Sequence, residues 1–351
     1  MNTKVIKIDA DNIDVSLIEE AGNLIEKGEL VAFPTETVYG LGGDALDPDA
    51  SMKIYSAKGR PSDNPLIVHI SDFSDMNRLS DNIPDDAKKL SDAFWPGPLT
   101  MIVEKSDAVP DATTGGMNTV AVRMPNHKIA LELIRRSGCL IAAPSANTSG
   151  RPSPSEAKHV IEDLSGKIAM IIDGGSVGIG IESTIIDLTE DVPMVLRPGY
   201  ITPQMLSDVL GKEVIIDPGI LAIDDTRKPK APGMKYKHYA PKAQMIIVDG
   251  ERDKVVSFIN ERTEQRKSEN KKIAVIASEE TKSLYDADVV LSMGSRQDED
   301  SIARHLYKIL RECDELEVDE IFSERFKTPR IGQAFMNRML KAAGHQVLNL
   351  D

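Results

Sequence analysis

The sequence predicts a two-domain α/β protein, with a large mixed, twisted sheet and flanking helices in the first domain and a smaller doubly wound sheet in the second. At 351 residues the chain exceeds the size at which a single hydrophobic core usually stops growing. Short apolar runs of strand length alternate with polar or amphipathic stretches along both halves. Between the halves, residues 216–241 carry Pro, Gly, Lys and Tyr without a clear period, which predicts a linker.

The first domain, residues 1–215, is expected to begin with a strand and a helix. Apolar residues at helical spacing between Ile18 and Ile25 are followed by Gly28, which predicts where this helix ends. Further apolar runs are bounded by polar or Pro- and Gly-containing stretches. They predict strands over residues 30–33, 66–70, 100–103, 119–122, 140–143, 170–172 and 184–188.

The second domain, residues 242–351, alternates strand and helix patterns. Strand-like segments MIIVD, IAVIA, DVVLS and VDEIF are interleaved with helical spacing between Ile302 and Cys313, and a last helix ends near Gly344. This alternation predicts a parallel, doubly wound sheet. The first turn of this domain lacks GxGxxG and the whole chain lacks GxxxxGK[ST] and HExxH, so neither a dinucleotide fold nor a Walker-type ATPase is predicted.

Composition argues against several classes of function. A net charge of −14 and a pI of about 5.0 disfavour a long basic surface for nucleic acid. No apolar run approaches the roughly 20 residues that cross a bilayer, and the first residues lack a secretory signal, so we expect a cytoplasmic protein. Cys139 and Cys313 lie far apart without CxxC spacing, which predicts two thiols rather than a disulfide or a metal site.

Positive charges stand at predicted strand ends and in the loops that adjoin them. Arginine binds phosphate and carboxylate groups in a bidentate manner, whereas lysine acts as a point charge. Charges of one sign in a cleft focus their field on a ligand of the opposite sign. We therefore expect a pocket for a small anion, formed by Lys58, Arg60, Arg123, Arg151 and Arg197.

The segments around these cations also allow plainer interpretations. The turn after the first buried strand is either part of a site or a simple strand exit, and alternation along a strand would place Thr35 and Thr37 on one face while Glu36 points away. Arg123 ends an apolar strand and requires an anionic partner, either a substrate carboxylate or a structural salt bridge. The loop over residues 143–153 either donates hydrogen bonds to phosphate oxygens or forms an ordinary helix-capping turn.

Eight segments in a fixed order carry a resemblance to a known family: PTETVYGLG, AKGRPSDNPLIVHI, WPGPLT, TVAVRMPNH, IAAPSANTSGRPSPS, ESTIIDL, LRPG and PGMKYKHYAP. Together they look like the Sua5 form of the YrdC/Sua5 family, whose members are threonylcarbamoyl-AMP synthases. The match covers the first domain and the linker and is weaker in the last domain. The resemblance implies a YrdC-like first domain and a Rossmann-like second domain.

The resemblance also implies a reaction. L-Threonine, bicarbonate or CO2, and ATP would give L-threonylcarbamoyladenylate and pyrophosphate, with Mg²⁺ as the cofactor that accompanies ATP. The product would pass to the downstream machinery that makes t6A in tRNA, with no membrane and no stable tRNA complex involved. Such a transfer depends on positioning and charge neutralisation, so we assign no dedicated base and predict no metal ligands from the protein.

Carried over by position, the resemblance implies two sets of site residues. Arg123 would face the carboxylate of threonine, and Lys58 and Arg60 would be the catalytic cations. The threonine set is Thr37, His69, Arg123 and Ser183, and the ATP set is Lys58, Arg60, Asn64, Thr119, Ser145, Ser153, Arg197 and Tyr236.

Some alternatives stay open. Either Thr35 or Thr37, and either Tyr236 or Tyr239, makes the direct contact, and a linker that closes over the site would exclude water from the reaction. A double-stranded RNA-binding module would instead show a strongly salt-dependent affinity for RNA. A carbamoyltransferase of the hydrogenase-maturation type would use carbamoyl phosphate, but the CxxC pairs usual in those proteins are absent from the sequence.

Overall fold

The computed structural model describes residues 2–220 and 238–351, which form two compact units. The first unit holds residues 2–149 and 153–220, and the second holds residues 238–351 together with the short segment Gly150–Pro152. Much of the predicted linker lies outside the described residues. No helix in the described ranges is long and apolar enough to cross a membrane.

Within the described residues, the first unit is built on one sheet of eleven strands. The strands are β1 Lys4–Lys7, β2 Val31–Phe33, β3 Gly40–Asp44, β4 Ile67–His69, β5 Leu99–Glu104, β6 Thr119–Arg123, β7 Ile141–Ala142, β8 Met170–Asp173, β9 Thr184–Asp187, β10 Met194–Arg197 and β11 Ile215–Ile216. Their order is β1-β8-β2-β3-β7-β4-β6-β5-β9-β10-β11. Parallel pairs such as β4 with β6 and antiparallel pairs such as β5 with β6 both occur, which confirms the predicted mixed sheet.

Seven α-helices accompany this sheet in the described part of the first unit. They are α1 Val15–Glu26, α2 Pro48–Lys58, α3 Asp85–Phe94, α4 Asp111–Thr114, α5 Lys128–Ser137, α6 Ala157–Leu164 and α7 Pro203–Leu210. Helix α2 shows how sequence sets the bounds: Asp47 caps its first turn, and Gly59 in the left-handed conformation ends it. Lys58 therefore lies in the last turn, where the helix dipole favours a cation.

Alternation along the strands fills both faces of the sheet with apolar side chains. In β2, Ala32 joins one buried cluster with Leu41 and Val68, whereas Val31 and Phe33 join a cluster on the other face. The strand positions near the site are consequently fixed by hydrophobic packing on two sides, because a shift of one residue would exchange the two faces.

Strand β3 was not predicted, because its sequence GLGGD is rich in glycine and poor in β-branched residues. Packing explains the glycine at position 42. A Cβ there would lie 2.7 Å from Ile141 Cγ2 and 2.8 Å from a ring carbon of Phe33, distances too short for real side chains. The close approach of Ile141 and Phe33, rather than β-propensity, therefore requires glycine at position 42.

In the second unit, five described strands form a separate sheet: β12 Gln244–Asp249, β13 Ile273–Ala277, β14 Val289–Ser292, β15 Glu320–Glu324 and β16 Val347–Asn349. The accompanying α-helices among the described residues are α8 Arg252–Ser268, α9 Glu299–Glu315 and α10 Gly332–Ala342. The strand order is β14-β13-β15-β12-β16, and every described pairing is parallel. The prediction of a doubly wound parallel sheet is confirmed, and β16 is an additional edge strand that the sequence pattern did not reveal.

Candidate functional site

The turn after β2 joins several of the motif segments through backbone hydrogen bonds. Tyr39 N donates to Pro154 O over 2.9 Å, and Ala146 N donates to Tyr39 O over 2.8 Å. On its other side, Gly180 N of the glycine-rich segment donates to Thr37 O over 3.1 Å. Segments that are distant in the sequence therefore meet at this turn of the first unit.

The hydroxyl of Thr35 holds the turn together. Its Oγ1 donates to Val38 O over 2.6 Å and accepts from the backbone N–H groups of Thr37 and Val38 at 3.2 and 3.3 Å. The Oγ1 atoms of Thr35 and Thr37 lie 2.9 Å apart, and because the proton of Thr35 points to Val38, Thr37 is the donor of this bond. Thr35 is thus used within the turn, whereas the oxygen of Thr37 keeps capacity to accept a further hydrogen bond.

Arg123 and Glu36 form a buried pair of opposite charges at the end of β6. Arg123 Nη2 lies 2.7 Å from Glu36 Oε2, and the two side chains are only 5% and 12% exposed. These atoms are not aligned as a hydrogen bond: among the described residues, Arg123 Nη2 and both carboxylate oxygens of Glu36 lack a hydrogen-bond partner. The guanidinium has one long bond, from Nε to Gly97 O at 3.4 Å.

Glu36 is the site residue that sequence reasoning missed. Its orientation away from Thr35 and Thr37 was expected, but its pairing with Arg123 depends on a strand much later in the chain. The signal was a carboxylate three residues after a buried strand, where a charge requires a partner. His127 lies in the same region: burial lowers the pKa of its imidazole while the negative charge of Glu36 raises it, with burial the stronger effect.

His69 lies beside Arg123, because β4 and β6 pair in register at these two residues. The ring is buried, Nδ1 lies 3.1 Å from Ile67 O, and Phe33 packs edge-on at 6.2 Å between ring centroids. Burial, and then the positive charge of Arg123, lower the pKa of His69 to about 3. The imidazole is therefore neutral at physiological pH.

Lys58 and Arg60 bind backbone carbonyls in two loops. The buried ammonium of Lys58 donates to the carbonyl oxygens of Ser145 and Asn147. Arg60 Nε donates to Asn64 O over 3.2 Å, and its Nη2 donates to the next carbonyl along the chain over 3.0 Å. Asn64 is itself buried, and its side-chain oxygen has no hydrogen-bond partner among the described residues. The two cations thus fix the loops that carry the neighbouring polar side chains.

Ser183 and Arg197 are joined directly. Arg197 Nη2 donates to Ser183 Oγ over 3.0 Å, and its Nε donates to Ser183 O over 3.0 Å. The hydroxyl of Ser183 also lies 2.7 Å from Thr100 Oγ1, and Thr100 pairs with Arg123 across β5 and β6. Ser183 and Arg197 consequently belong to the end of the sheet that holds Arg123.

Strand register separates the site residues into two groups. His69, Arg123 and Ser183 lie near the carboxyl end of β6, whereas Thr119 begins this strand, about 13 Å away at the usual rise per residue. Lys58 ends α2, and the loop that follows it, with Arg60 and Asn64, leads into the start of β4, which runs parallel to β6. A ligand that contacts both groups must extend along the strands.

The remaining predicted positions are placed as follows. Ser153 Oγ donates to Glu182 Oε1 over 2.7 Å, and both residues are buried. Arg151 belongs to the segment that groups with the second unit, where its Nη2 lies 3.6 Å from Asp314 Oδ2, so this cation has a carboxylate partner without any ligand. Tyr236 lies outside the described residues, and Tyr239 is buried in the second unit against Tyr307, with 5.3 Å between the ring centroids.

The fold and the site define an α/β protein whose mixed sheet carries cations, hydroxyl groups and a buried ion pair that lacks hydrogen-bond geometry. This arrangement suits a small charged ligand. Comparison with known proteins identifies the family. A family model described as "Telomere recombination" matches residues 23–199, and one described as "Threonylcarbamoyl-AMP synthase, C-terminal domain" matches residues 201–344.

Full-length relatives give the same result. A threonylcarbamoyl-AMP synthase of Pyrococcus abyssi is 50% identical over 340 residues, which cover 97% of this chain and 98% of the relative. The Bacillus subtilis protein of the same name is 48% identical, and the match covers 94% of each chain. The crystal structure of P. abyssi Sua5 complexed with L-threonine matches with a TM-score of 0.94 at 49% identity, covering 99% of this chain and 100% of that one. The chain belongs to the Sua5 family of threonylcarbamoyl-AMP synthases, which are ATP-using, nucleotidyl-transferring enzymes.

Proposed function

We propose that this chain is an L-threonylcarbamoyladenylate synthase, which converts L-threonine, bicarbonate or CO2, and ATP into L-threonylcarbamoyl-AMP and pyrophosphate. The observation that carries the proposal is the buried pair of Arg123 and Glu36, whose charged atoms lie 2.7 Å apart without a hydrogen bond among the described residues. Buried polar groups normally have such partners. A ligand with one negative and one positive group would supply them, and the relative solved with L-threonine supports this amino acid as the substrate.

The threonine zwitterion is complementary in charge to Arg123 and Glu36. Its carboxylate would bind Arg123, and its amino group would lie beside Glu36. The buried hydroxyls of Thr37 and Ser183 would recognise the hydroxyl of the substrate, with neutral His69 packed alongside. A site that hydrogen-bonds a substrate hydroxyl strongly rejects analogues that lack it, because its own buried polar groups are then left unpaired.

ATP would extend towards the start of β4 and β6. Lys58 and Arg60, held by loop carbonyls, would neutralise the negative charge that the phosphates carry as pyrophosphate leaves. Their carbonyl contacts fix both side chains before the substrate arrives, which reduces the cost of organising them during the reaction. The other members of this set would be Asn64, Thr119, Ser145, Ser153, Arg197 and Tyr236, the last of which lies outside the described residues.

Two bonds form in turn. The ammonium group of threonine first gives up a proton to solvent. The resulting amine nitrogen then adds to the carbon of CO2 and loses a second proton, or displaces water from bicarbonate, to give a carbamate. A carbamate oxygen then attacks the α-phosphorus in line, and the bond to the leaving pyrophosphate oxygen breaks. Arg197 is well placed for this step, because its bonds to Ser183 bring an ATP-set residue to the threonine end of the sheet.

The proposed cofactor is Mg²⁺ carried by ATP. This ion prefers oxygen ligands and at nucleotide sites is held by phosphates with one or two protein groups. No metal ligand was predicted from the sequence, but the buried carboxylate of Glu182, which accepts from Ser153 Oγ over 2.7 Å, fits this role and would offer an oxygen beside the ATP set. When bound, the ion would neutralise part of the negative charge of the phosphates.

We also propose that residues 1–215 form the catalytic domain, 216–241 a linker and 242–351 a separate C-terminal domain. The two compact units and the separate family models support this division. The enzyme would work in the cytoplasm, where its product would pass to the machinery that makes t6A in tRNA without a stable complex between this chain and tRNA.

Pyrophosphate release tests the proposed function. The protein is incubated with ATP, Mg²⁺ and bicarbonate, with L-threonine, with L-serine or with neither. We expect pyrophosphate that depends on threonine, with serine a weaker substrate. Release of orthophosphate, or pyrophosphate formed equally without an amino acid, would contradict the proposal and would favour carbamoyl phosphate chemistry or simple ATP hydrolysis.

A further inference from the structure

A cavity lies in the second unit, at the carboxyl edge of its parallel sheet. It has a volume of about 300 Å³ and is lined by the last residues of β12 and β15 and by the first turn of α8. In open parallel sheets small ligands bind at this edge, and cavities of this size are at the lower end of those that hold small molecules. The position therefore favours a small ligand, independently of the site on the first unit.

The charged lining is mainly positive. Arg252, Arg296, Arg325 and Lys327 face two carboxylates, those of Asp249 and Glu324, which leaves a formal charge of 4 − 2 = +2. This excess occurs in a chain with a net charge of −14, so it is local to the cavity. Positive charge concentrated in a concave surface attracts anions.

The carboxylates position the cations. Asp249 lies 2.6 Å from Arg325 Nη1 and 3.0 Å from Lys327 Nζ, and although burial raises the pKa of Asp249, these contacts outweigh burial and keep it below its usual value. Glu324 accepts from Arg296 at 2.6 Å and from the hydroxyl of Tyr285 at 2.7 Å. The three cations are thereby held in fixed orientations at the edge of the cavity.

Arg252 is the cation that no carboxylate neutralises. It is the exposed first residue of α8, and it forms no ion pair with any residue in the ranges 2–220 and 238–351. A cation at this position lies against the positive end of the helix dipole, where an anion is favoured, and Asp253 is the acidic residue of the same first turn. The preceding residue, Glu251, makes no side-chain capping bond to the first-turn N–H groups. Both features would be compensated by a bound anion.

We propose that this cavity binds a small organic oxyanion, a phosphate ester or a carboxylate, whose charged group lies between Arg252 and the first turn of α8. Its apolar part would contact Val248, Val255 and the ring of Tyr285, which line the same cavity. The proposal concerns the second unit alone and does not depend on the reaction proposed for the first.

Hydrogen exchange of the full-length protein tests this site, with inorganic phosphate, AMP and benzoate as separate probes. We expect at least one probe to slow amide exchange in residues 250–255 and 324–327. Arg252→Glu should raise the half-maximal probe concentration about tenfold or more, equivalent to roughly 1.4 kcal/mol. The matched control Arg262→Glu makes the same charge change on the exposed side of α8, outside the cavity lining, and should leave protection unchanged.

The probes also distinguish the two ligand classes. Protection by AMP or phosphate identifies a phosphate site, and protection by benzoate identifies a carboxylate site. No protection by any probe, or an equal loss of protection in Arg252→Glu and Arg262→Glu, would overturn the proposal. Threonine-dependent pyrophosphate release is measured on the same proteins, and we expect Arg252→Glu to retain it, so failure of this site is distinguishable from failure of the proposed enzyme activity.

Discussion

At the scale of single residues, buried Arg123 at the end of β6 lies 2.7 Å from a carboxylate oxygen of Glu36 without the alignment of a hydrogen bond. Removing two charges from water is costly, and poor hydrogen-bond geometry recovers little of that cost. Such an arrangement contributes weakly to stability. It is useful to a protein whose ligand completes the missing bonds, which is how we interpret Arg123 and Glu36.

Arg123→Ala should raise the KM for threonine by roughly 30-fold or more, the usual effect of removing one partner of a buried charge pair, and should change the KM for ATP much less. Steady-state pyrophosphate release measures both constants. Arg135→Ala, which removes an exposed arginine from α5, is the control. Equal losses for both substrates would indicate that Arg123 is a structural ion-pair partner.

Glu36→Gln keeps the shape of the side chain and removes its charge. We expect the KM for threonine to rise about tenfold, because the substrate ammonium loses about 1.4 kcal/mol of interaction. A threonine analogue with a hydroxyl in place of the amino group should bind the variant at least as well as the wild type, as measured by inhibition. Weaker inhibition of the variant by this analogue would show that Glu36 does not face the amino group.

His69 should make the protein less stable in acid. Its pKa is about 3 in the folded protein and near 6.5 when unfolded, so the unfolded chain binds the proton more readily between these values. The contribution of neutral His69 to the free energy of unfolding is therefore complete above pH 6.5 and is lost as the pH falls towards 3. Urea unfolding of the wild type and His69→Asn over this range should show a steeper loss in the wild type. Parallel curves would contradict the assigned pKa.

At the scale of elements, the sequence predicts well those strands whose apolar residues fill a core. Strands β4, β5, β6 and β8 were expected close to where they occur, because runs of branched apolar residues specify buried strands. Strand β3 was missed because glycines give no such signal, and the exposed β16 was missed because it buries little. Loop motifs indicated a candidate site, whereas the contact of Arg197 with Ser183 depends on the pairing of β9 and β10 in the folded chain.

Gly42→Ala should lower the free energy of unfolding by about 1–3 kcal/mol, since the new methyl group would overlap Ile141 and Phe33 between β2, β3 and β7. Chemical denaturation measures the loss. Gly178→Ala is the control, because the nearest atom to its added Cβ is 3.9 Å away. Similar stability for both variants would contradict the packing described for β3.

At the scale of the whole molecule, a chain with a net charge of −14 places Lys58, Arg60, Arg123 and Arg197 within one of its two units. Local concentration of charge, rather than overall charge, decides which ligand such a protein binds. Composition and motif order were sufficient to predict the two-part α/β fold and the family. They were insufficient to predict Glu36 as the partner of Arg123 or the cavity beside Arg252, because each depends on side chains that only the folded chain brings together.

The identity of the product is the most direct test of the proposed synthase activity. The protein is incubated with ATP, Mg²⁺, L-threonine and ¹³C-labelled bicarbonate, and the nucleotide products are separated and analysed by mass spectrometry. We expect an AMP derivative that contains threonine and one labelled carbon, formed in equal amount to pyrophosphate. An adenylate of threonine without the labelled carbon, or AMP and orthophosphate alone, would contradict it.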